Sequence, residues 1–145
     1  MSAPLRLGIA GLGTVGVGVV KIIAEKAALL RQRTGREIVI TAVSARSEQK
    51  DRGIDLAPYA WEAGPVALAK RPDVDIFVEL MGGHEGPAKE ATEAALNAGK
   101  DVVTANKALL AHHGQKLAEK AENGGKLLRL EAAVAGGIPV VKALT

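Results

Sequence analysis

Three glycines near the start of the chain have the spacing that lets a backbone approach a phosphate group. The segment Gly11-Leu12-Gly13-Thr14-Val15-Gly16 follows a short apolar run and precedes a long helical pattern. In such a turn the first glycine allows a sharp bend, the second leaves room for a pyrophosphate, and the third lets helix and strand pack closely. N–H groups at the helix start then face the phosphates. The segment predicts a dinucleotide site; the alternative is a glycine-rich turn without a ligand.

Basic rather than acidic side chains follow the second predicted strand. The β-branched run 38–44 ends at Ser44, and Ala45, Arg46 and Ser47 come next. In a dinucleotide fold, a carboxylate at this point binds the two ribose hydroxyls of NAD. Arg46 can instead pair with a 2′-phosphate, to which Ser44 or Ser47 can donate. The pattern favours NADP, with NAD as the alternative; Arg46 can also be a solvated loop residue.

Two further candidate positions follow predicted strands in the second half of the chain. Gly82 and Gly83 come after the run 75–81, at a strand end where glycines allow backbone approach to a cofactor. Lys107 follows the strand 101–104, where an ammonium can hold a substrate oxygen or shift its proton. A surface lysine that starts a helix is the alternative. Glu79, within its strand, can bond at the sheet edge or reach the site.

The elements that carry these residues alternate between strands and helices. Strands are predicted over 5–10, 38–44, 75–80, 101–104 and 127–131, and helices over 17–32, 66–70, 87–97 and 108–123. This alternation predicts an α/β fold: a Rossmann-type doubly wound parallel sheet with helices on both faces, in a single domain over 1–145. The patch 58–61 is expected to cover an edge of the sheet. Residues 138–145 resemble the first turns of a helix, which favours a fragment truncated in its final helix.

The composition narrows the classes of function. The 145 residues are 48% hydrophobic but only 2% aromatic, which predicts an aliphatic core and argues against nucleic-acid binding through base stacking. The net charge of +3 is mild, and the absence of cysteine excludes disulfides and thiolate metal sites. His112 and His113 are adjacent, so they do not share a helix face and are interpreted as solvated. Without a membrane span or signal peptide, a cytoplasmic protein is expected.

Three segments together resemble homoserine dehydrogenase. They are Gly11-Leu12-Gly13-Thr14-Val15-Gly16, Val103-Thr104-Ala105-Asn106-Lys107-Ala108 and Glu131-Ala132-Ala133-Val134-Ala135-Gly136-Gly137-Ile138-Pro139, and 78–83 also looks like the family. The resemblance implies NAD(P)-dependent interconversion of aspartate 4-semialdehyde and homoserine, on the route to threonine, methionine and isoleucine. It also implies that the family's substrate and dimerisation domain is absent from this chain, so the fragment alone is expected to be inactive. The full-length parent is expected to be a homodimer.

The resemblance assigns roles to individual residues. Thr14 and Val15 are expected at the pyrophosphate, Arg46 at the adenosine side, and Lys107 near the nicotinamide and substrate as the catalytic residue. The full expected cofactor-binding set is Gly11, Leu12, Gly13, Thr14, Val15, Gly16, Arg46, Gly82, Gly83, Thr104 and Lys107. Glu131, with the carbonyls of Val134, Gly136 and Ile138, matches a sodium site of the family. One carboxylate with several carbonyl oxygens suits a monovalent cation.

Two other functions stay open at this point. One is another two-domain NADP reductase, of the sugar or dihydrodipicolinate type, although different residues would be expected where 104–107 stand. The other is a non-catalytic nucleotide-sensing module, which would need an attached partner or DNA-binding domain.

Overall fold

The structure, a computed structural model, describes residues 3–48, 50–83 and 85–130. The strands of its sheet are β1 Leu5–Ala10, β2 Ile38–Ser44, β3 Ala60–Glu62, β4 Ile76–Glu79, β5 Asp101–Thr104 and β6 Leu128–Leu130. The helices are α1 Thr14–Glu25, α2 Ala27–Thr34, α3 Pro65–Ala69, α4 Pro87–Asn97 and α5 Lys107–Asn123. Every described strand pair is parallel, which confirms the predicted α/β fold class.

The strand order places the glycine segment at the middle of the sheet. The order is β3-β2-β1-β4-β5-β6, so the chain winds outward from β1 in one direction and then returns to continue from β4 in the other. At this switch point Ala10 is in register with Ser44 on one side and with Glu79 on the other. Glu79 is in turn in register with Thr104. The carboxyl ends of four strands therefore lie at one level, which is where open α/β sheets bind ligands.

Two largely aliphatic clusters cover the two faces of the sheet. One cluster contains Val19, Val20 and Ile23 of α1, together with the side chains that β1 and β2 direct to that face of the sheet. Phe77 of β4 belongs to the other, together with buried residues of α3, α4 and α5. Side chains on both faces of β1 and β4 are buried, as expected for central parallel strands. The sheet is thus a well-packed support for the loops at its carboxyl edge.

Two elements differ from the sequence prediction. The single helix expected over 17–32 is two helices, because the backbone of Lys26 leaves helical geometry at φ −108° and ψ 20°. The bonds Lys26 N–H to Ile22 O and Leu30 N–H to Lys26 O nevertheless keep the helical spacing across the break, so the apolar pattern runs through it. The patch expected to cover a sheet edge instead contributes β3, an edge strand paired with β2.

An ion pair at the amino edge of the sheet ties β1 to the turn before β4. The Arg6 guanidinium donates to both carboxylate oxygens of Asp75, at 3.1 and 3.0 Å, and the Arg6 N–H donates at 2.9 Å. These hydrogen bonds from Arg6 hold the pKa of the Asp75 carboxyl below its usual value. Beside them, the buried Lys100 ammonium donates to the carbonyls of Arg71 and Val74.

No helix in the described part of the chain is both long and apolar enough to cross a membrane.

Candidate functional site

Two of the three glycines in the segment 11–16 are required by backbone packing. Gly11 has a φ of +102°, and a Cβ there would lie 2.7 Å from the carbonyl oxygen of Leu80. A Cβ on Gly16 would lie 1.9 Å from the carbonyl oxygen of Gly11. Any larger residue at either position would collide with fixed backbone, so these two glycines bring β1, the loop after β4 and α1 into close contact.

Gly13, unlike Gly11 and Gly16, is not required by packing within the chain. No atom lies within 4 Å of the position that its Cβ would take. Gly13 is the N-cap of α1, no side chain accepts a hydrogen bond at this cap, and the first turn has no acidic residue. The helix therefore presents amide groups and the positive end of its dipole to an open space, an arrangement that suits a phosphate.

The neighbouring loop residues divide between the core and the surface. Thr14 is exposed and Val15 is half-buried at the start of α1. Leu12 is only 4% exposed and packs into the core, so its side chain faces away from the open space and only its backbone is available to a ligand.

Arg46 lies just beyond the carboxyl end of β2, next to the glycine loop. The Gly11 N–H donates to the Ser44 carbonyl at 2.8 Å, which fixes the end of β2 against this loop. Arg46 is exposed, and among the described residues it makes no hydrogen bond or ion pair. Arg52, by contrast, lies over the Trp61 ring at 5.8 Å and donates to the Lys50 carbonyl. Arg46 is accordingly the arginine better placed to meet an external anion.

Glu79 is buried at the carboxyl end of β4, where it organises the following loop. One carboxylate oxygen accepts from the N–H of Met81 at 2.7 Å and of Gly82 at 3.2 Å. The other accepts from the Thr104 hydroxyl at 2.6 Å, across the β4–β5 pair. Glu79 is 0% exposed, so its carboxylate holds the loop in shape instead of reaching a ligand. Of the two roles considered for Glu79, the structure shows hydrogen bonding at the sheet edge.

Asn106 links the same loop to the start of α5. Its side-chain oxygen accepts from the Leu109 N–H at 2.9 Å, a helix N-cap, and its side-chain amide donates to the Gly83 carbonyl. Its own N–H donates to the Thr104 hydroxyl at 2.9 Å. The sequence interpretation missed this role, although an Asn directly before a helical pattern is an N-cap signal that indicates the first of these bonds.

The remaining predicted cofactor residues lie around this network. Gly82 and Gly83 are exposed, with φ values of +82° and +78°, and Lys107 is exposed as the first residue of α5. The Thr104 hydroxyl is buried and bonded within the protein, so a contact of Thr104 with a coenzyme stays a prediction. The structure thus brings the glycine loop, the Gly82–Gly83 loop and Lys107 to one edge of the sheet.

The structure tests the prediction for the histidines but not the predicted metal ligands. Glu131, Val134, Gly136 and Ile138 lie outside the described residues, so the sodium site stays a prediction. Within the described ranges, no group of three or more His, Cys, Asp or Glu side chains can hold a metal ion. His112 is exposed, but the solvated interpretation is wrong for His113, which is half-buried and bonded to Glu85.

A separate concave region of about 760 Å³ lies at the opposite, amino edge of the sheet. Its lining includes Arg6, Asp75 and Lys100, whose polar groups already bond within the protein. It lacks both the glycine loop and a helix N-terminus. The carboxyl edge is therefore the better candidate for a coenzyme.

Comparison with known proteins agrees with this geometry. The family described as "Homoserine dehydrogenase, NAD binding domain" matches residues 11–131. A homoserine dehydrogenase from Neisseria gonorrhoeae is 46% identical over 141 residues, which are 97% of this chain and 32% of that protein.

Solved structures give the same result. A homoserine dehydrogenase from Thiobacillus denitrificans has a TM-score of 0.84 and 40% identity over 97% of this chain and 32% of its own. One from S. aureus at pH 7.5 has a TM-score of 0.83 and 36% identity over 91% of this chain and 33% of its own. The chain spans about a third of the length of these relatives. It belongs to the homoserine dehydrogenase family, and the part of the family that it matches is the NAD-binding domain.

Proposed function

We propose that this chain binds NADP(H), with NAD as the weaker coenzyme, for a homoserine dehydrogenase that interconverts aspartate 4-semialdehyde and homoserine. The observation that supports this most directly is the uncapped start of α1 at Gly13, open to solvent at the switch point of the sheet. Family membership supplies the reaction, and the open helix start supplies the place for the coenzyme. The domain assignment to 1–145 and the substrate and dimerisation portion outside it are part of the same proposal.

The phosphate groups are bound by the backbone in this proposal. Amides at the start of α1 donate to the pyrophosphate, which neutralises the positive end of the helix dipole. Gly13 leaves the space that the phosphates need. On the β2 side, Arg46 forms a charge-assisted pair with a 2′-phosphate, which distinguishes NADP from NAD.

Lys107 acts at the other end of the bound coenzyme. The coenzyme supplies or accepts the hydride. The Lys107 ammonium, on the first residue of α5, holds the carbonyl oxygen of the substrate while negative charge develops on it. The exposure of Lys107 leaves its ammonium accessible to a substrate held by another part of the protein.

Three further features of the proposal rest on the family resemblance alone. They are the homodimer, the sodium ion bound by Glu131 with the carbonyls of Val134, Gly136 and Ile138, and a biosynthetic role in the cytoplasm leading to threonine, methionine and isoleucine. The two alternative functions considered from the sequence have no comparable support, since the family that matches residues 11–131 is the NAD-binding domain of homoserine dehydrogenase.

Calorimetric titration of the chain tests the coenzyme proposal directly. NADPH is expected to bind with one-to-one stoichiometry and more tightly than NADH, and adenosine alone is expected to bind far more weakly because it lacks the phosphates. A folded chain that binds neither coenzyme would refute the proposal. Tighter binding of NADH would retain the site but overturn the preference assigned to Arg46.

A further inference from the structure

We propose that Glu79, Thr104 and Asn106 are positioning residues that hold the loop 80–83 and the start of α5 in the shape that receives the nicotinamide half of the coenzyme. The inference rests on the proposed function and adds to it the residues that shape one half of the site. None of the three needs to touch the coenzyme, since each acts on the backbone of the loop or of the helix that follows.

A buried carboxylate holds the loop after β4. The Glu79 carboxylate is fully buried and accepts from the N–H groups of Met81 and Gly82 and from the Thr104 hydroxyl. A buried carboxylate is costly unless its oxygens are bonded. These bonds fix the direction of two loop amides directly after β4, and the Thr104 hydroxyl joins the loop to β5.

Asn106 divides its side-chain amide between two elements. Its oxygen caps α5 by accepting from Leu109 N–H, while its nitrogen donates to the Gly83 carbonyl. Capping alone requires only the oxygen, and serine and aspartate perform it as well as asparagine. The bond to Gly83 is therefore a separate interaction, which couples the loop to the helix that begins at Lys107.

The network lies on the β4–β5 side of the sheet. In the proposed function, the pyrophosphate lies over the loop after β1, which is at the middle of the sheet, and Arg46 marks the adenosine half on the β2 side. The nicotinamide half must then extend over β4 and β5. The loop 80–83 and the first residue of α5 follow directly from these two strands. The Glu79–Thr104–Asn106 network consequently shapes that half.

The test compares two ligands that differ in the half concerned. NADPH and 2′-phospho-ADP-ribose share the adenosine, 2′-phosphate and pyrophosphate, but only NADPH carries nicotinamide. Asn106→Ser keeps a neutral capping oxygen and is too short to reach Gly83 as well. It is expected to weaken NADPH binding about 3- to 10-fold, the effect of a lost hydrogen bond, while 2′-phospho-ADP-ribose binds as in the wild type.

Matched variants separate positioning from general damage. Asn97→Ser makes the same change on α4, where Asn97 accepts from Lys120, and is expected to leave both affinities unchanged. Thr104→Val removes the hydroxyl that Glu79 and Asn106 share, whereas Thr104→Ser keeps it. The valine variant is expected to weaken NADPH binding but not 2′-phospho-ADP-ribose binding. The serine variant is expected to bind NADPH as the wild type does. The Thr104 pair also keeps the test valid should Asn106→Ser fail to fold.

Two outcomes would overturn the inference. Equal weakening of both ligands by Asn106→Ser and Thr104→Val would show a general structural role. Unchanged NADPH affinity in both folded variants would show that the network does not shape the site. Failure of the proposed function looks different, because the wild-type chain would then bind neither ligand.

Discussion

At the scale of single residues, Gly13 and Gly16 are expected to be needed for different reasons, Gly13 for the ligand and Gly16 for packing. Replacing Gly13 by Asp is expected to abolish NADPH binding, because a carboxylate would occupy the phosphate position and repel it, while the fold stays intact. Gly16→Ala is expected to destabilise the fold by about 1–3 kcal/mol, because its Cβ would collide with the Gly11 carbonyl. Calorimetry and thermal unfolding of both variants check the pair. Normal NADPH affinity in Gly13→Asp would remove the glycine loop from the site.

Arg46 carries the second prediction at this scale. Arg46→Ala is expected to weaken NADPH binding by roughly 1–3 kcal/mol, the loss of a charge-assisted contact, with a smaller change for NADH. Titration with both coenzymes measures the difference, and Arg33→Ala, an exposed arginine on α2, serves as the matched control. A selective loss in Arg52→Ala instead would transfer the role to the arginine that lies over Trp61.

At the scale of elements, the Arg6–Asp75 pair makes the attachment of β1 to β4 dependent on pH. The bonds from Arg6 lower the pKa of Asp75 from its ordinary value of 3.8, so folding favours the charged carboxylate. The resulting stabilisation is complete above that value and is lost as the pH falls through the lower pKa of the folded state. Asp75→Asn is expected to lower stability at pH 7, and its difference from the wild type should narrow in acid. Both side chains are partly exposed, at 40% and 34%, so the effect is modest.

Denaturant unfolding of the wild type and Asp75→Asn between neutral and acidic pH measures this effect. Glu93→Gln, which removes the exposed i,i+4 partner of Lys89 on α4, is a control that should show little change at any pH. A constant gap between wild type and Asp75→Asn down to the lowest pH would contradict the linkage.

Most elements were predictable from the sequence, and the exceptions have local causes. The strand β1 is a mostly apolar run and β2 a β-branched run, and their predicted bounds are the observed ones. The break at Lys26 was not predictable, because helical hydrogen bonds continue on both sides of it. The strand β3 has only three half-buried residues, too few to show an alternating pattern, and it forms by pairing with β2.

The site was predictable only in part for a related reason. Glycine spacing and the residues that follow strands locate the edge where Gly13, Arg46 and Lys107 lie. Asn106 and Thr104 are 2 positions apart, but Glu79 and Thr104 are 25 positions apart and meet across a strand pairing. Sequence spacing does not show which carboxylate meets which hydroxyl. Only the folded register of β4 against β5 brings them together.

At the scale of the whole molecule, coenzyme binding and turnover are expected to separate. The chain spans about a third of its relatives, so it is expected to bind NADPH yet not oxidise homoserine. In a full-length dehydrogenase that contains this chain, Lys107→Ala should lower kcat by about 10²–10³ and coenzyme affinity much less, since we propose that the ammonium acts on developing charge. Steady-state kinetics and coenzyme titration check both. Turnover by the chain alone, or an unchanged kcat in the variant, would contradict this division.

The central claim is that the coenzyme lies across the carboxyl edge of the sheet, and amide chemical-shift mapping by NMR tests it most directly. On titration with NADPH, the largest shifts are expected for Gly13, Thr14 and Val15 and for Gly82 and Gly83. The amides of Arg6 and Lys100, at the concave region of the opposite edge, should stay unmoved. Shifts concentrated at Arg6 and Lys100, with the glycine loop unchanged, would contradict the account.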